Sequence, residues 1–219
     1  QNLTLGTIAE LNIFEDINSN AVTGTMHILD AYNIISNASL QGNERLIFKL
    51  STPGTSGNRE DIVDASEETG YPFHIYALTD RIQQSETIMT YTLHFCSKEL
   101  LRNTRKKVSK AYNGGLAQSV VDILRDDTGL NSRKDIYYEE TRNQDKIVIP
   151  NLRPFDAINM ISRKALSKNA NGAGYYFYET TKGFHFRSYE SMLALQGKYA
   201  RDELLTLVYQ PKILGGNMH

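Results

Sequence analysis

KGFHFRSY, residues 182–189, decides how the second half of the chain folds. Phe184 and Phe186 alternate with His185 and Arg187, a period of two that marks a strand with one face turned inward. Just upstream, GYYFYET (174–180) is a second aromatic run. Thr180-Thr181-Lys182-Gly183 separates the two runs, and Gly183 is free to take the backbone conformation that a tight turn requires. Together the two runs predict an aromatic β-hairpin.

Before this hairpin, Pro154 stands at the favoured first-turn position of a helix, with Phe155, Ile158, Ile161 and Ala165 or Leu166 facing inward. IVI (147–149) reads as a short strand, and residues 130–146 as polar and irregular. LAQSVVDILRDDTG (116–129) reads as a helix with Leu116, Val120, Ile123 and Leu124 as its apolar stripe and Gly129 as its C-terminal cap. SKELLRNTRKKVSKAY (97–112) reads as another, ended by Asn113-Gly114-Gly115. It gathers Lys98, Arg102, Arg105, Lys106 and Lys110 on one broad face, either solvated or in contact with phosphate or an acidic partner. After the hairpin, a helix near 190–203 and a strand at LLTLVYQP (204–211) are expected.

The first 97 residues read as β structure. Strands are expected at 7–16, 22–30, 45–51, 74–79 and 86–96. In VTGTMHILD, Val22, Met26 and Ile28 oppose Thr23, Thr25 and His27. In ETIMTYTLHFC, Met89, Tyr91, Leu93 and Phe95 oppose Thr90, Thr92, His94 and Cys96. A sheet with one threonine-rich face packs that face against something more polar than a core. Residues 52–70 read as a long acidic loop, of the kind that is functional or mobile. Antiparallel strands at this spacing imply a small sandwich or barrel, and the whole chain is α+β.

Composition narrows the chemistry. Among 219 residues the net charge is −1, so the chain lacks the basic excess usual for a protein that lives on polyanions. No apolar run approaches the roughly 18 residues of a membrane span, so no membrane partner is expected. One cysteine, Cys96, excludes an internal disulfide and a multi-cysteine zinc site. The five histidines (27, 74, 94, 185 and 219) have no metal-ligand spacing. Among the adjacent carboxylates, Asp126-Asp127 and Glu139-Glu140 could in principle supply an acid and a base, and neither pair has a partner nucleophile. No phosphate loop, dinucleotide glycine pattern, HExxH or GxSxG is present. No enzyme activity, metal or cofactor is expected.

The opening stretch also resembles the RNA-recognition motif. Lys182, Gly183, Phe184, Phe186 and Tyr189 match its consensus, while His185 and Arg187 do not. IVIPNL (147–152) resembles the partner motif, with Val148 in place of an aromatic. The expected element order from 147 to 212 copies the βαββαβ order of that family. This reading requires Phe184 and Phe186 to be exposed for stacking on bases, and it leaves residues 1–146 unexplained.

A second resemblance covers more of the chain. LNIFEDINSNAVTGTMHILDAYNIISNASLQGNERLIFKLSTP (11–53), HIYALTDRIQQSETIMTYTLHFCSKELLRN (74–103) and IPNLRPFDAINMISRKALSKNANGAGYYFYETTKGFHFRSYESM (149–192) together resemble the baseplate hub protein of myovirus-type contractile phage tails. The order and spacing of the segments carry the resemblance, and no single motif does. It implies a tail-tube-like antiparallel β-barrel over 1–97 and an α/β domain with three helices and the aromatic hairpin over 98–190. Residues 191–219 then form a connection towards a second barrel that the chain lacks or leaves incomplete. The implied function is a non-enzymatic homotrimer in the virion tail baseplate. Such a ring joins the hexameric tail tube protein to the trimeric central spike protein and touches other baseplate proteins. Genomic DNA would pass through its lumen without specific binding. The candidate interface or lumen face is Thr23, Thr25, His27, Thr90, Thr92 and His94.

Overall fold

The structure, a computed structural model, describes residues 7–35, 44–51, 62–68, 71–169 and 174–199. It is a mixed α+β chain whose strands dominate. The first half is built on strands β1 (Ile8–Phe14), β2 (Thr23–Asp30), β3 (Arg45–Leu46), β4 (Lys49–Ser51), β5 (Ile62–Asp64), β6 (Phe73–Gln83) and β7 (Met89–Cys96). Five of them form an antiparallel sheet in the order β1-β2-β7-β6-β3, curled into a half-barrel. Bulges in β1 between Ile8 and Glu10, and in β6 between Ile75 and Ala77 and between Thr79 and Ile82, bend the strands. The expected barrel is thus, among the described residues, an open half-barrel.

The expected strand 45–51 divides between two sheets. β3 extends the half-barrel, and β4 pairs with β5. β5 lies inside the stretch read as a long loop; residues 52–61 and 69–70 of that stretch lie outside the described residues.

Helix α1 (Lys98–Arg105) follows β7, and then the sequence reading departs from the structure. The helix expected over 97–112 stops at Arg105, and Val108–Gly115 is strand β8. β8 pairs antiparallel with β10 (Gln144–Leu152), setting Tyr112 opposite Ile147 and Ala111 opposite Val148. Val108 and Tyr112 are buried. A partner strand distant in sequence supplies the ladder that helix propensity would have forgone. Lys110 therefore leaves the basic helical face and sits on a strand.

Helix α2 (Leu116–Arg125) buries the expected stripe. Gly129 matters through close approach, since a Cβ there would lie 1.9 Å from the Ile123 carbonyl oxygen. The left-handed residue of this turn is Asn131, at φ 46°. The stretch read as irregular holds β9 (Asp135–Tyr138) and the start of β10. Helix α3 (Pro154–Ser162) begins at the expected proline. β11 (Tyr175–Thr180) and β12 (Gly183–Ser188) form the expected hairpin, and α4 (Tyr189–Tyr199) follows. The strand expected at 204–211 lies outside the described residues.

The second half of the chain contains a ribbon, β10-β8, and a three-stranded sheet, β11-β12-β9, in which β9 runs parallel to β12. Each half of the chain has its own apolar cluster. One gathers Val22, Met26, Ile28, Phe73, Tyr91, Leu93 and Phe95 inside the half-barrel. The other gathers α2, α3, the ribbon and the hairpin around Leu116, Ile123, Ile158, Phe177, Phe184 and Phe186. They meet at consecutive residues, Ala21 in one and Val22 in the other.

This arrangement overturns the RNA-recognition geometry. Phe184 and Phe186 are 0% exposed. Phe177 stacks on Phe184, and Tyr175 packs at a tilt against Phe186. The strand carrying IVI pairs with β8 and not with β12, so the two resembling motifs do not lie side by side.

Candidate interface face of the half-barrel

Strand alternation makes the outer face of the half-barrel. Residues whose neighbours fill the apolar cluster point the other way, and here they are mostly threonine and histidine. The register sets them in cross-strand rows. One row runs Asn12, Thr25, His94 and Ala77; the next runs Glu10, His27, Thr92 and Thr79. Four of the six expected residues, Thr25, His27, Thr92 and His94, thus form its centre. Thr23, opposite Phe14 and Cys96, and Thr90, opposite Leu29 and Ile82, mark its two ends.

The rows are tied by side-chain hydrogen bonds. The Thr92 hydroxyl is 2.8 Å from Nδ1 of His27, and the Thr79 hydroxyl is 2.8 Å from Nε2 of His94. The Thr79 hydroxyl also lies 2.9 Å from Oδ2 of Asp80. Asn12 donates from Nδ2 to Oγ1 of Thr25 at 3.4 Å. Thr90 donates to the carbonyl of Ile82 at 3.3 Å. Thr92 is only 3% exposed, shielded by its neighbours in the rows. These bonds fix rotamers and leave a pre-ordered surface.

The surroundings are mixed. Phe14 (52% exposed), Leu29, Tyr76 and Ile82 (56%) put apolar area at the margins of the polar rows. No lysine or arginine stands in either central row. Phosphate has no cation to hold it there. Asn12, Tyr76 and Thr79 were not expected from the sequence. The bulge at Tyr76 breaks the alternation that would have revealed the latter two, and the loose alternation of β1 hides the first.

Among the described residues, both sides of the half-barrel end in open backbone. Among the described residues, no strand pairs with the outer edge of β1. β3 covers β6 only at Phe73 and His74, so among the described residues Ala77–Gln83 has a free edge too.

Most of the other candidate groups have structural roles. Arg102 donates to the carbonyls of Leu130 (2.8 Å) and Asn131 (2.6 Å), and Lys106 to that of Asp127. Lys110 pairs with Asp126 at 2.9 Å. Hydrogen bonds from Lys110 and from the Thr128 amide hold the Asp126 carboxyl down at about 2. Arg102, Lys106 and Lys110 therefore serve the turn after α2, while Lys98 and Arg105 lie exposed on α1.

Glu139 and Glu140 diverge. Glu139 is buried, bonded by Ser167 and by the amide (3.0 Å) and hydroxyl (2.7 Å) of Ser188. Glu140 pairs with Lys168 at the surface. Cys96 is fully buried, and burial with the nearby Glu179 charge pushes its thiol up to about 12. Among the described residues no three His, Cys, Asp or Glu side chains are placed to hold a metal, and no helix is long and apolar enough to cross a membrane.

No protein-family model matches the sequence, and no curated protein matches it. Among solved structures the chain is similar to the 43 kDa tail protein of prophage MuSo2 from Shewanella oneidensis, at 11% identity and TM-score 0.48, covering 83% of this chain and 49% of that one. It is similar to the tail protein from Neisseria meningitidis MC58, at 11% identity and TM-score 0.47, covering 80% of this chain and 44% of that one. It is also similar to the E. coli c3393 protein, at 16% identity and TM-score 0.44, covering 84% of this chain and 49% of that one. That protein is described as a component of the type VI secretion system with structural similarity to T4 bacteriophage tail proteins gp27 and gp5. The chain spans about half the length of these proteins. Likenesses this distant leave a functional reading to rest on the chain's own residues.

Proposed function

We propose that the chain is a structural adaptor of a contractile phage tail, a baseplate hub that assembles as a homotrimeric ring between the hexameric tail tube and the trimeric central spike. In this reading residues 1–97 form the tube-like domain, 98–190 the α/β domain and 191–219 the connection towards a further barrel. The protein acts by shape and assembly, without catalysis, in the virion.

One observation supports it above the others: a half-barrel with a pre-ordered threonine–histidine face and, among the described residues, two unpaired edges. Free edges are a hazard for a lone protein and a means of assembly for a ring. Pairing the β1 edge of one copy with the β6 edge of the next is a head-to-tail contact. Such contacts close into rings when the rotation allows. The polar rows then line the lumen or meet a neighbour. Without lysine or arginine in the central rows, a polyanion can pass with little to grip.

The test is the mass of the purified chain by light scattering. The reading expects a species of about three times 24.8 kDa, or a larger ring, and no binding of fluorescent single-stranded RNA. A monomer at every concentration contradicts it.

A further inference from the structure

The meeting point of the two apolar clusters encloses charge. Glu99 on α1, Lys134 before β9 and Glu179 on β11 come together there, with side chains 4%, 7% and 0% exposed. Nζ of Lys134 lies 3.1 Å from Oε2 of Glu99 and donates to Oε1 of Glu179. The Ser132 hydroxyl donates to Oε1 of Glu99 at 2.7 Å. The backbone amide of Val22 donates to Oε2 of Glu179 at 2.9 Å. Val22 leads into β2, so this carboxylate ties the hairpin to the half-barrel.

The other polar and ionisable groups nearby add no second cation within the cluster. Cys96 on β7 is a neutral thiol. Tyr71 donates its hydroxyl to the Arg133 carbonyl at 2.7 Å, with its ring 5.7 Å from Nζ of Lys134. The Phe184 ring lies 5.9 Å from the same Nζ. Asp64 lines the small cleft beside Lys134. His74 on β6 is held below its usual value by burial and by the Lys98 and Arg45 charges, so it stays neutral near pH 7. Arg133 lies on the exposed side of the loop. Two carboxylates therefore share one ammonium in a buried site, and an enclosed excess charge is relieved by binding a proton.

We propose that this cluster is a proton-linked latch: as the medium is acidified, Glu179 takes up a proton, the junction becomes neutral, and the folded state that joins the two clusters is stabilised. The two glutamates are unequal. Burial would raise Glu99, but the Lys134 charge and the Ser132 and Lys134 hydrogen bonds hold it below the usual range. Burial raises Glu179, and the Lys134 charge, opposed by Glu99, does not bring it back.

The sign follows from linkage. A carboxyl raised in the folded state binds its proton more tightly folded than unfolded. Its stabilising contribution is full below the unfolded value of about 4.3 and is lost as pH rises through the raised folded value. Glu99 acts only below the ordinary glutamate range, and Lys134, raised by the two carboxylates, only well above neutral pH.

The test combines carbon NMR titration of the glutamate carboxyls with urea midpoints from pH 5 to 8, on the wild type and on Glu99→Gln. The variant leaves Lys134 and Glu179 as a neutral pair. One wild-type carboxyl is expected to titrate above the ordinary glutamate range, and that titration is expected to move down in Glu99→Gln. The urea midpoint of the wild type relative to the variant is expected to rise on acidification. A wild type with no carboxyl titrating above the ordinary range overturns the latch, as does an unchanged titration in the variant. Should Glu99→Gln fail to fold, the wild-type titration alone decides.

Discussion

Gly183 and Phe184 show how much of a fold can rest on two neighbours. Gly183 has φ 149°, and a Cβ there would lie 2.3 Å from the Asp135 carbonyl oxygen. It allows both the hairpin turn and the parallel approach of β9. Phe184 then enters the core beside Phe155 and Phe177. Phe184→Ala is expected to cost about 3–5 kcal/mol in urea unfolding, the range for truncating a buried aromatic. It is expected to leave RNA affinity unchanged at nil. On the opposite face of the same strand, His185 stacks between Tyr137 (4.9 Å) and Tyr178 (4.8 Å). Burial, then the Arg187 charge, lowers it to about 4. For a base lowered by folding, stability is lost as pH falls from about 6.5, its ordinary value, to about 4. His185→Phe is expected to flatten that part of the pH profile, read as urea midpoints against pH. The sequence made the alternation of this strand legible. It could not decide between a stacking platform and a core, because both use the same residues and only the partners of β12 distinguish them.

At the scale of elements, two helices are capped from elsewhere in the chain. Arg153 and Gly115 precede α3 and α2 without a side-chain cap of their own. The Phe155 amide instead donates to Oδ1 of Asn103 on α1 at 2.8 Å, in a buried site. The amides of Leu116 and Ala117 donate to the Thr141 hydroxyl at 3.1 and 3.4 Å. Orphan amides at a helix start need such partners. Asn103→Ala is expected to lose about 1–3 kcal/mol, the cost of stranding a buried donor. Asn103→Asp keeps an acceptor and is expected to lose less; urea unfolding compares the two. Pro154 and the apolar stripe of α2 were legible because they are local signals. β8, β9 and the start of β10 were not, because their pairing runs between Val108–Gly115 and Gln144–Leu152 and between β9 and β12. Lys107, Ser109 and Lys110 in isolation suit a helix as well as a strand.

At the scale of the whole molecule, a near-neutral chain carries an ordered polar face and, among the described residues, open strand edges on its half-barrel. Thr25, His27, Thr92 and His94 were legible as a set because alternation holds without interruption through β2 and β7. The bulged β6 hid its share. Placing a charge in the middle of the rows separates assembly from folding. Thr25→Glu with His94→Glu is expected to reduce the mass seen by light scattering while the circular dichroism spectrum is unchanged. An unchanged mass would mean that these rows face solvent or the lumen and not a neighbour.

The most direct test of the ring is hydrogen exchange at the two edges, followed over a range of protein concentrations. The outward amides of β1 and of Ala77–Gln83 are expected to gain protection as concentration rises, in step with the mass. Rapid exchange at both edges in a fully assembled sample, or protection that does not vary with concentration while the mass stays at one chain, would contradict assembly through these strands.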